Sequence, residues 1–314
     1  MTELGGTGLR VSRIGLGLAA LGRPAYINLG HDRDLADGRT VEDLRERTHE
    51  VLDAARARGV LYYDAARSYG LAEAFLGAWL REREIAPGVL TVGSKWGYRY
   101  TGDWRIDADV HEVKDLGAET LRRQLGETRE HLGEHLGLYQ IHSATIESGV
   151  LDDRDVLDEL AALRADGVAI GITATGPRQG DTIDRTVRTG MFDTVQATWN
   201  LHERSAGAAL ARAREAGLGV IVKEALANGR LTDRGAPRQM AAAAREHAVA
   251  VDALAISAAL AQPWVDVVLS GAASSAQLDS NLAALELSVD PELLSDLSQP
   301  PDEYWSARAE LAWN

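Results

Sequence analysis

The 314 residues carry 33 basic and 47 acidic side chains, a net charge of −14, which argues against nucleic acid or an anionic membrane as a partner. Cysteine is absent, which excludes disulfides, thiolate catalysis and thiolate-ligated zinc. A hydrophobic fraction of 45% and a charged fraction of 25% describe an ordinary globular chain with enough apolar residues for a sizeable core.

The chain opens without a signal-peptide pattern: Ile14 to Leu21 is apolar but short and broken by Gly15 and Gly17. No run approaches the roughly 20 apolar residues of a spanning helix. These absences lead us to expect a cytoplasmic enzyme. A small hairpin is predicted at Leu4–Leu9, turning at Gly5-Gly6-Thr7, followed by a strand over residues 11–17. Arg23 to Gly38 is polar and shows no readable period. Residues 41–58 have helical spacing, with Val41, Leu44, Val51, Leu52 and Ala55 on one face and Gly59 as the stop.

Strands and helices then alternate. Strands are predicted at 60–64, 90–95, 138–142, 168–173, 194–199, 219–223 and 265–269. Helices fall at 72–83, 118–132, 155–166, 182–189, 206–216, within 237–262, and at 275–285. A further helix and a tail carrying Tyr304, Trp305 and Trp313 occupy residues 291–314. Strict βα alternation implies a parallel sheet with right-handed crossovers, and eight units imply closure into an (α/β)8 TIM barrel. The alternative is an open, doubly wound sheet. No linker interrupts the pattern, so residues 1–314 are expected to form one barrel domain.

In such a barrel, function sits at the C-terminal strand ends. Asp64 closes the second strand, with Tyr69 in the loop after it; Lys95 closes the third and His142 the fourth. Each has an ordinary reading: a helix cap or loop hydrogen bond for Asp64, packing for Tyr69, a solvated cation for Lys95, a satisfied ring for His142. Together they are the groups needed to reduce a carbonyl. Hydride addition leaves negative charge on oxygen, which a proton donor must meet within hydrogen-bond reach. A tyrosine, with its ordinary pKa of about 10, is a reluctant acid. An adjacent lysine ammonium should lower that value, a carboxylate should hold the ammonium, and a neutral imidazole can orient the substrate oxygen.

The segments LGGTGLRVSRIGLGLAALG, GVLYYDAARSYG, GSKWGY, LGLYQIHS, GLGVIVKEALANGRLT and LSGAASSAQLDSNLAAL resemble the aldo-keto reductase superfamily along nearly the whole chain. The order Asp64, Tyr69 with Gly70 after it, Lys95, His142 is its most specific mark. The resemblance implies these four as catalytic residues, with Tyr69 as general acid, and a nicotinamide cofactor lying across the barrel mouth without a Rossmann domain. It places Gly17, Leu18 and Ala19 near the nicotinamide, together with Asp64, and Thr173 and Gln196 at its carboxamide. Ala174 stands where many members have Asn, and Lys223 where the family usually places an aromatic ring. Glu224, Leu226 and Asn228 match positions along the pyrophosphate. The loop from Ser270 to Asn281, including Gly271, Ser274, Ser275 and Gln277, matches the adenosine end. A helix beginning near Ser275 would offer N–H groups to an anion there. Gln277 stands where many NADP-preferring members carry Arg. NADP(H) is the expected cofactor, with NAD(H) the alternative.

Trp96, Tyr98, Tyr100 and Trp104 cluster beside Lys95, and Trp305 and Trp313 lie in the tail. Such rings suit an apolar carbonyl or a sugar face, or simply cover the barrel end. Trp96 is taken as a substrate contact beside Tyr69 and His142. The expected activity is reduction of an aldehyde or ketone. A sugar or alcohol dehydrogenase on the same site, a cofactor-binding regulatory subunit, and an aldolase using Lys95 as a Schiff base are the other readings. The expected partners are small molecules; no metal is expected, and the oligomeric state is not read from the sequence.

Overall fold

A computed structural model describes residues 1–35 and 38–314. Its N-terminal hairpin pairs Thr2–Glu3 with Arg10–Val11 in antiparallel register, on either side of the predicted turn segment. The predicted strand over residues 11–17 is therefore divided. Val11 belongs to the hairpin, and the barrel begins only at Ile14, after Ser12 and Arg13 turn the chain. The hairpin stoppers the bottom of the barrel: Leu4 and Val11 are fully buried against Tyr62, Leu138, Ile221 and Val267. Gly5 is required for this, since its φ is +54° and a Cβ there would lie 2.2 Å from the Gly219 nitrogen.

Eight parallel strands close the barrel: β1 (Ile14–Gly17), β2 (Tyr62–Asp64), β3 (Thr91–Trp96), β4 (Leu136–Ala144), β5 (Ala169–Ala174), β6 (Thr194–Thr198), β7 (Gly219–Lys223) and β8 (Val267–Ser270). β8 pairs with β1, so the ring has no open edge and the doubly wound alternative is excluded. The strands are buried on both faces, which is why they read as continuous apolar runs rather than as alternation.

Helices surround the ring: α1 (Val41–Ala57), α2 (Ala72–Glu82), α3 (Ala118–Leu132), α4 (Arg154–Ala165), α5 (Gln179–Thr189), α6 (Gly207–Glu215), α7 (Arg238–Glu246), α8 (Val251–Leu260) and α9 (Ser275–Leu282). The α1 start is fixed by a capping box, in which Thr40 Oγ1 accepts the Asp43 N–H and Asp43 accepts the Thr40 N–H. Leu44, Val51, Leu52 and Ala55 bury the predicted face, whereas Val41 at the first turn is 43% exposed.

Three features lie over the barrel top. The polar segment after β1 contains a short helix, His31–Asp34. Two strands, Tyr98–Tyr100 and Glu112–Lys114, form an antiparallel pair after β3. A tenth helix, α10 (Pro301–Ala309), packs Tyr304 and Trp305 into a second apolar cluster with Leu201, Leu231, Met240 and Leu254. The tail then returns to the mouth, where Tyr26 and Asn314 exchange backbone hydrogen bonds of 3.2 and 3.3 Å.

Candidate active site

Closure of the ring brings three strand ends together. Asp64 ends β2, Lys95 stands near the end of β3, and His142 near the end of β4; adjacent registers pair Asp64 with Gly93 and Lys95 with Gln140. The Lys95 ammonium donates to Asp64 Oδ2, to the Ala65 carbonyl at 2.9 Å and to the Tyr69 hydroxyl at 3.4 Å. Asp64 Oδ1 accepts from the Tyr62 hydroxyl at 2.8 Å, Gln196 Nε2 at 3.2 Å and Gln140 Nε2 at 3.4 Å. The carboxylate is thus saturated by partners from four strands, and its ion pair with Lys95 is almost fully buried, at 2% and 1% side-chain exposure.

Tyr69 reaches the site from a short, tightly held loop. The Ala65 N–H donates to Gly93, Arg67 to Lys95 and Tyr69 to Ala66, each through backbone atoms at 2.9–3.0 Å. Gly70 follows with φ +60°, and the Leu71 N–H meets the Gly22 carbonyl at 2.7 Å. A Cβ on Gly22 would lie 2.1 Å from the Tyr69 carbonyl, so both glycines are needed for the two loops to touch. The Tyr69 ring then stands edge-on to the His142 ring at 5.5 Å.

His142 is set by an interruption of β4. Ser143 takes φ +56°, and its N–H donates to Thr173 Oγ1 at 2.7 Å. A non-glycine residue in this region stores strain, of the kind that gathers at functional sites. His142 Nδ1 lies 3.5 Å from Ser68 Oγ, and its ring packs at 5.0 Å against Tyr98.

Burial governs the protonation of both groups. It pushes the Tyr69 hydroxyl well above the ordinary tyrosine range, with the Asp64 charge adding and Arg23 opposing. The expected lowering by Lys95 does not prevail over burial and the Asp64 charge. Burial also pushes the His142 imidazole well below its usual value, helped by the Lys95, Lys223, Arg23 and Lys114 charges. The site therefore presents a protonated phenol beside a neutral imidazole.

From these groups a cavity of about 700 Å³ runs across the barrel top to the loop after β8. Gly17, Ala19, Asp64, Tyr69, His142, Gln196, Lys223, Glu224, Leu226, Asn228, Gly271, Gln277 and Asn281 all line it. Five expected contacts do not. Leu18 is fully buried in the core behind the wall. Thr173 is fully buried too, its hydroxyl occupied by Ser143. Ser274 is the N-cap of α9, where its hydroxyl accepts the Gln277 N–H, and with Ser275 it stays off the lining. Trp96 is fully buried in the main core with its indole N–H unpartnered, so it is no wall of the cavity. Trp104, whose indole donates to the Arg39 carbonyl, Tyr100 and Trp305 also lie off the lining; Tyr98 and Trp313 lie on it.

Lys223 sits near negative charge rather than free in solvent, 3.9 Å from Glu224 Oε1 with its side chain 16% exposed. Its ammonium donates to Thr198 Oγ1 at 2.8 Å, and burial pushes it down to about 8. Glu224 is held at about 2: burial would raise it, but the Arg308 and Lys223 charges prevail. Arg308 of α10 grips it through Nη2 at 2.5 Å and Nε at 2.9 Å. Glu224, Ala227 and Asn228 all have positive φ, so the loop after β7 is another strained segment on the cavity wall.

Several lining residues escape sequence reasoning because they come from the aperiodic segment or the tail. Arg23 is 2% exposed, donates to the Ser68 carbonyl at 2.9 Å and to Glu112 at 2.5 Å, and lies over the rings of Tyr26, Tyr69 and Trp313. Asp34 accepts from Gln277 Nε2 at 2.8 Å and from Arg234 Nη1 at 2.9 Å. A Tyr-Arg-Trp grouping scattered over nearly the whole chain has no local signature.

The residues fit an extended dinucleotide. Among the described residues, Asn228 Oδ1 and Asn281 Oδ1 are buried acceptors without partners on side chains that line the cavity, and Gly271 opens onto space with no atom within 4 Å of an added Cβ. The first turn of α9 presents backbone N–H groups at the far end. No cluster of three or more metal-ligating side chains occurs among the described residues. No helix among them is long and apolar enough to cross a membrane.

A sequence profile of the aldo/keto reductase family matches residues 13–299, most of the chain. The chain belongs to the aldo/keto reductase family. Among curated proteins it is 29% identical to L-galactose dehydrogenase of Arabidopsis thaliana, covering 95% of this chain and 92% of that one. It is 26% identical to D-threo-aldose 1-dehydrogenase of a Pseudomonas species, covering 91% and 94%. An aldo-keto reductase from Bacillus halodurans solved in its holo form superposes with a TM-score of 0.73 at 22% identity, covering 95% and 96%, and supports the fold. Membership of the aldo/keto reductase family, with dehydrogenases among the relatives, makes this chain an oxidoreductase.

Proposed function

We propose that this enzyme interconverts a carbonyl and an alcohol on a polyhydroxylated sugar, using a nicotinamide dinucleotide and moving the proton through Tyr69. The observation that carries this is the convergence of the Tyr69 hydroxyl, the Lys95–Asp64 pair and the neutral His142 at one end of a single cavity. When bound, the nicotinamide supplies or accepts the hydride. Tyr69 holds its proton at neutral pH and gives it to the oxygen in reduction, or receives it in oxidation. Lys95, 3.4 Å away, stabilises the phenolate left behind. Asp64 keeps the ammonium charged and aimed. His142, uncharged and half-buried, shares the substrate oxygen with Tyr69 and does not compete as an acid. Gln196 has spent its amide hydrogens on Asp64 and Gln140, which leaves its oxygen to accept from the nicotinamide carboxamide. Asn228 and Asn281 would hold the dinucleotide further along.

The choice of sugar over an apolar carbonyl rests on the lining beside Tyr69. Arg23, Glu112, Glu224 and Arg308 surround that end with charged hydrogen-bonding groups, while Tyr26, Tyr98 and Trp313 add ring faces. These charges are already paired, Arg23 with Glu112 and Arg308 with Glu224, but the hydrogen-bonding positions they keep, beside the ring faces, match hydroxyls flanked by C–H faces. The two curated relatives, both named as dehydrogenases of sugars, support the same class. The test is a scan of aldoses, simple alcohols, aldehydes and ketones with NAD and NADP, following nicotinamide absorbance. Aldose oxidation well above turnover of simple alcohols is expected. Turnover confined to apolar aldehydes and ketones would reverse the substrate assignment.

A further inference from the structure

The far end of the cavity, by the first turn of α9, has an unusual charge arrangement. Of the cationic residues lining the cavity among the described residues, Arg23 lies by Tyr69, and Lys223 and Arg308 lie by Glu224. Arg234 alone reaches the α9 end, and it is already taken. Its guanidinium pairs with Asp34 through Nη1 at 2.9 Å and through Nη2, and Nη1 also donates to the Leu29 carbonyl at 2.8 Å. Gln277 is tied to the same carboxylate: its Nε2 donates one hydrogen to Asp34 Oδ1 at 2.8 Å, and its Oε1 accepts the Ala273 N–H at 2.9 Å. Ser274 caps the helix. The one cation at this end is therefore neutralised by a carboxylate that is 7% exposed and faces the space.

A carboxylate offers about four acceptor positions. Among the described residues Asp34 uses three, for Gln277 Nε2 and two Arg234 nitrogens, and keeps one. One remaining acceptor suits a neutral ribose hydroxyl, which is a donor. It repels a phosphate monoester, which is a dianion near neutrality and brings acceptors only. We infer that Asp34 makes this enzyme an NAD-preferring one, by accepting from the adenosine ribose and excluding a 2′-phosphate. The inference rests on the reading of the cavity as a dinucleotide site. It reverses the expectation of NADP(H), which rested on the family rather than on these residues.

The experiment measures the dissociation constants of NAD⁺ and NADP⁺ on the full-length protein by calorimetry, without substrate. The wild type should bind NAD⁺ at least tenfold more tightly than NADP⁺. Asp34→Ser should strengthen NADP⁺ binding at least tenfold while weakening NAD⁺ severalfold, because it removes the repulsion and releases Arg234. Adding Arg234→Ala in that background should cancel most of the NADP⁺ gain, which a merely loosened loop would not do. Equal or tighter NADP⁺ binding by the wild type, or an unchanged ratio in Asp34→Ser, overturns the role of Asp34. Binding of neither dinucleotide by the wild type overturns the reading of the cavity itself, and it is seen before any variant is made.

Discussion

The Lys95 ammonium stands 3.4 Å from the Tyr69 hydroxyl and 4.8 Å from the centre of its ring, while Asp64 holds it from the other side. The geometry gives the phenol a cation that is present but largely neutralised, so Tyr69 keeps its proton until the reaction draws it out. Tyr69→Phe preserves the ring and its packing and removes only that proton. We predict at least a hundredfold loss of kcat, the usual scale of general acid catalysis, with dinucleotide affinity within about threefold of wild type. Single-turnover kinetics and direct binding measurements check both halves; more than about a tenth of the wild-type chemical rate would remove Tyr69 from the role.

Asp64 raises the Tyr69 hydroxyl, second only to burial. Asp64→Asn should therefore move the Tyr69 titration downward, and Lys95→Met should move it upward. Reduction needs the protonated phenol, so its rate falls as pH rises through that titration. The alkaline limb of kcat/KM should shift to lower pH in Asp64→Asn and to higher pH in Lys95→Met, beneath the overall loss of rate. Shifts in the same direction for both variants would contradict the ion-pair account.

Glu224 and Arg308 tie the strained loop after β7 to α10. Arg308→Met leaves a carboxylate that is 9% exposed without its main partner, and should destabilise the protein by about 3 kcal/mol near pH 7. Glu224 is held at about 2 against an ordinary 4.5, so its contribution is fully present above pH 4.5 and is lost as pH falls toward 2. The cost of Arg308→Met should shrink accordingly in acid. Urea unfolding at pH 7 and pH 4 measures it, with Glu224→Gln/Arg308→Met expected to recover most of the loss.

Lys223 titrates in the opposite sense. Burial lowers it from 10.5 to about 8, so between those values the unfolded chain binds more protons and stability rises with pH. The rise from this group should be about 1 kcal/mol between pH 8 and 9, since one pKa unit corresponds to about 1.4 kcal/mol. Lys223→Met should flatten that interval. Comparing wild-type and variant unfolding at the two pH values isolates the term, and parallel curves would mean that Lys223 is not the group responsible.

The alternation of apolar runs with amphipathic stretches fixes the order of strands and helices, because parallel strands buried on both faces must be apolar throughout. Eight such units leave a barrel as the economical closure, and the ends of β2, β3 and β4 then put Asp64, Lys95 and His142 side by side. Residues tied to a strand position are legible in this way. The direction of each side chain is not: Trp96 and Thr173 lie on barrel strands beside the site, yet the pleat and the β4 interruption turn them into the core. Nor are partners that meet only through folding. Arg23, Asp34 and Arg234 come from segments without a period, and Arg308 and Trp313 from the end of the chain. Their pairings follow from where long loops and the tail cross the barrel mouth, which local sequence does not encode. Tyr69 shows the same division. Its identity and its spacing from Asp64 stand in the sequence, but its protonation depends on how deeply the folded chain buries it and on how completely Asp64 neutralises Lys95.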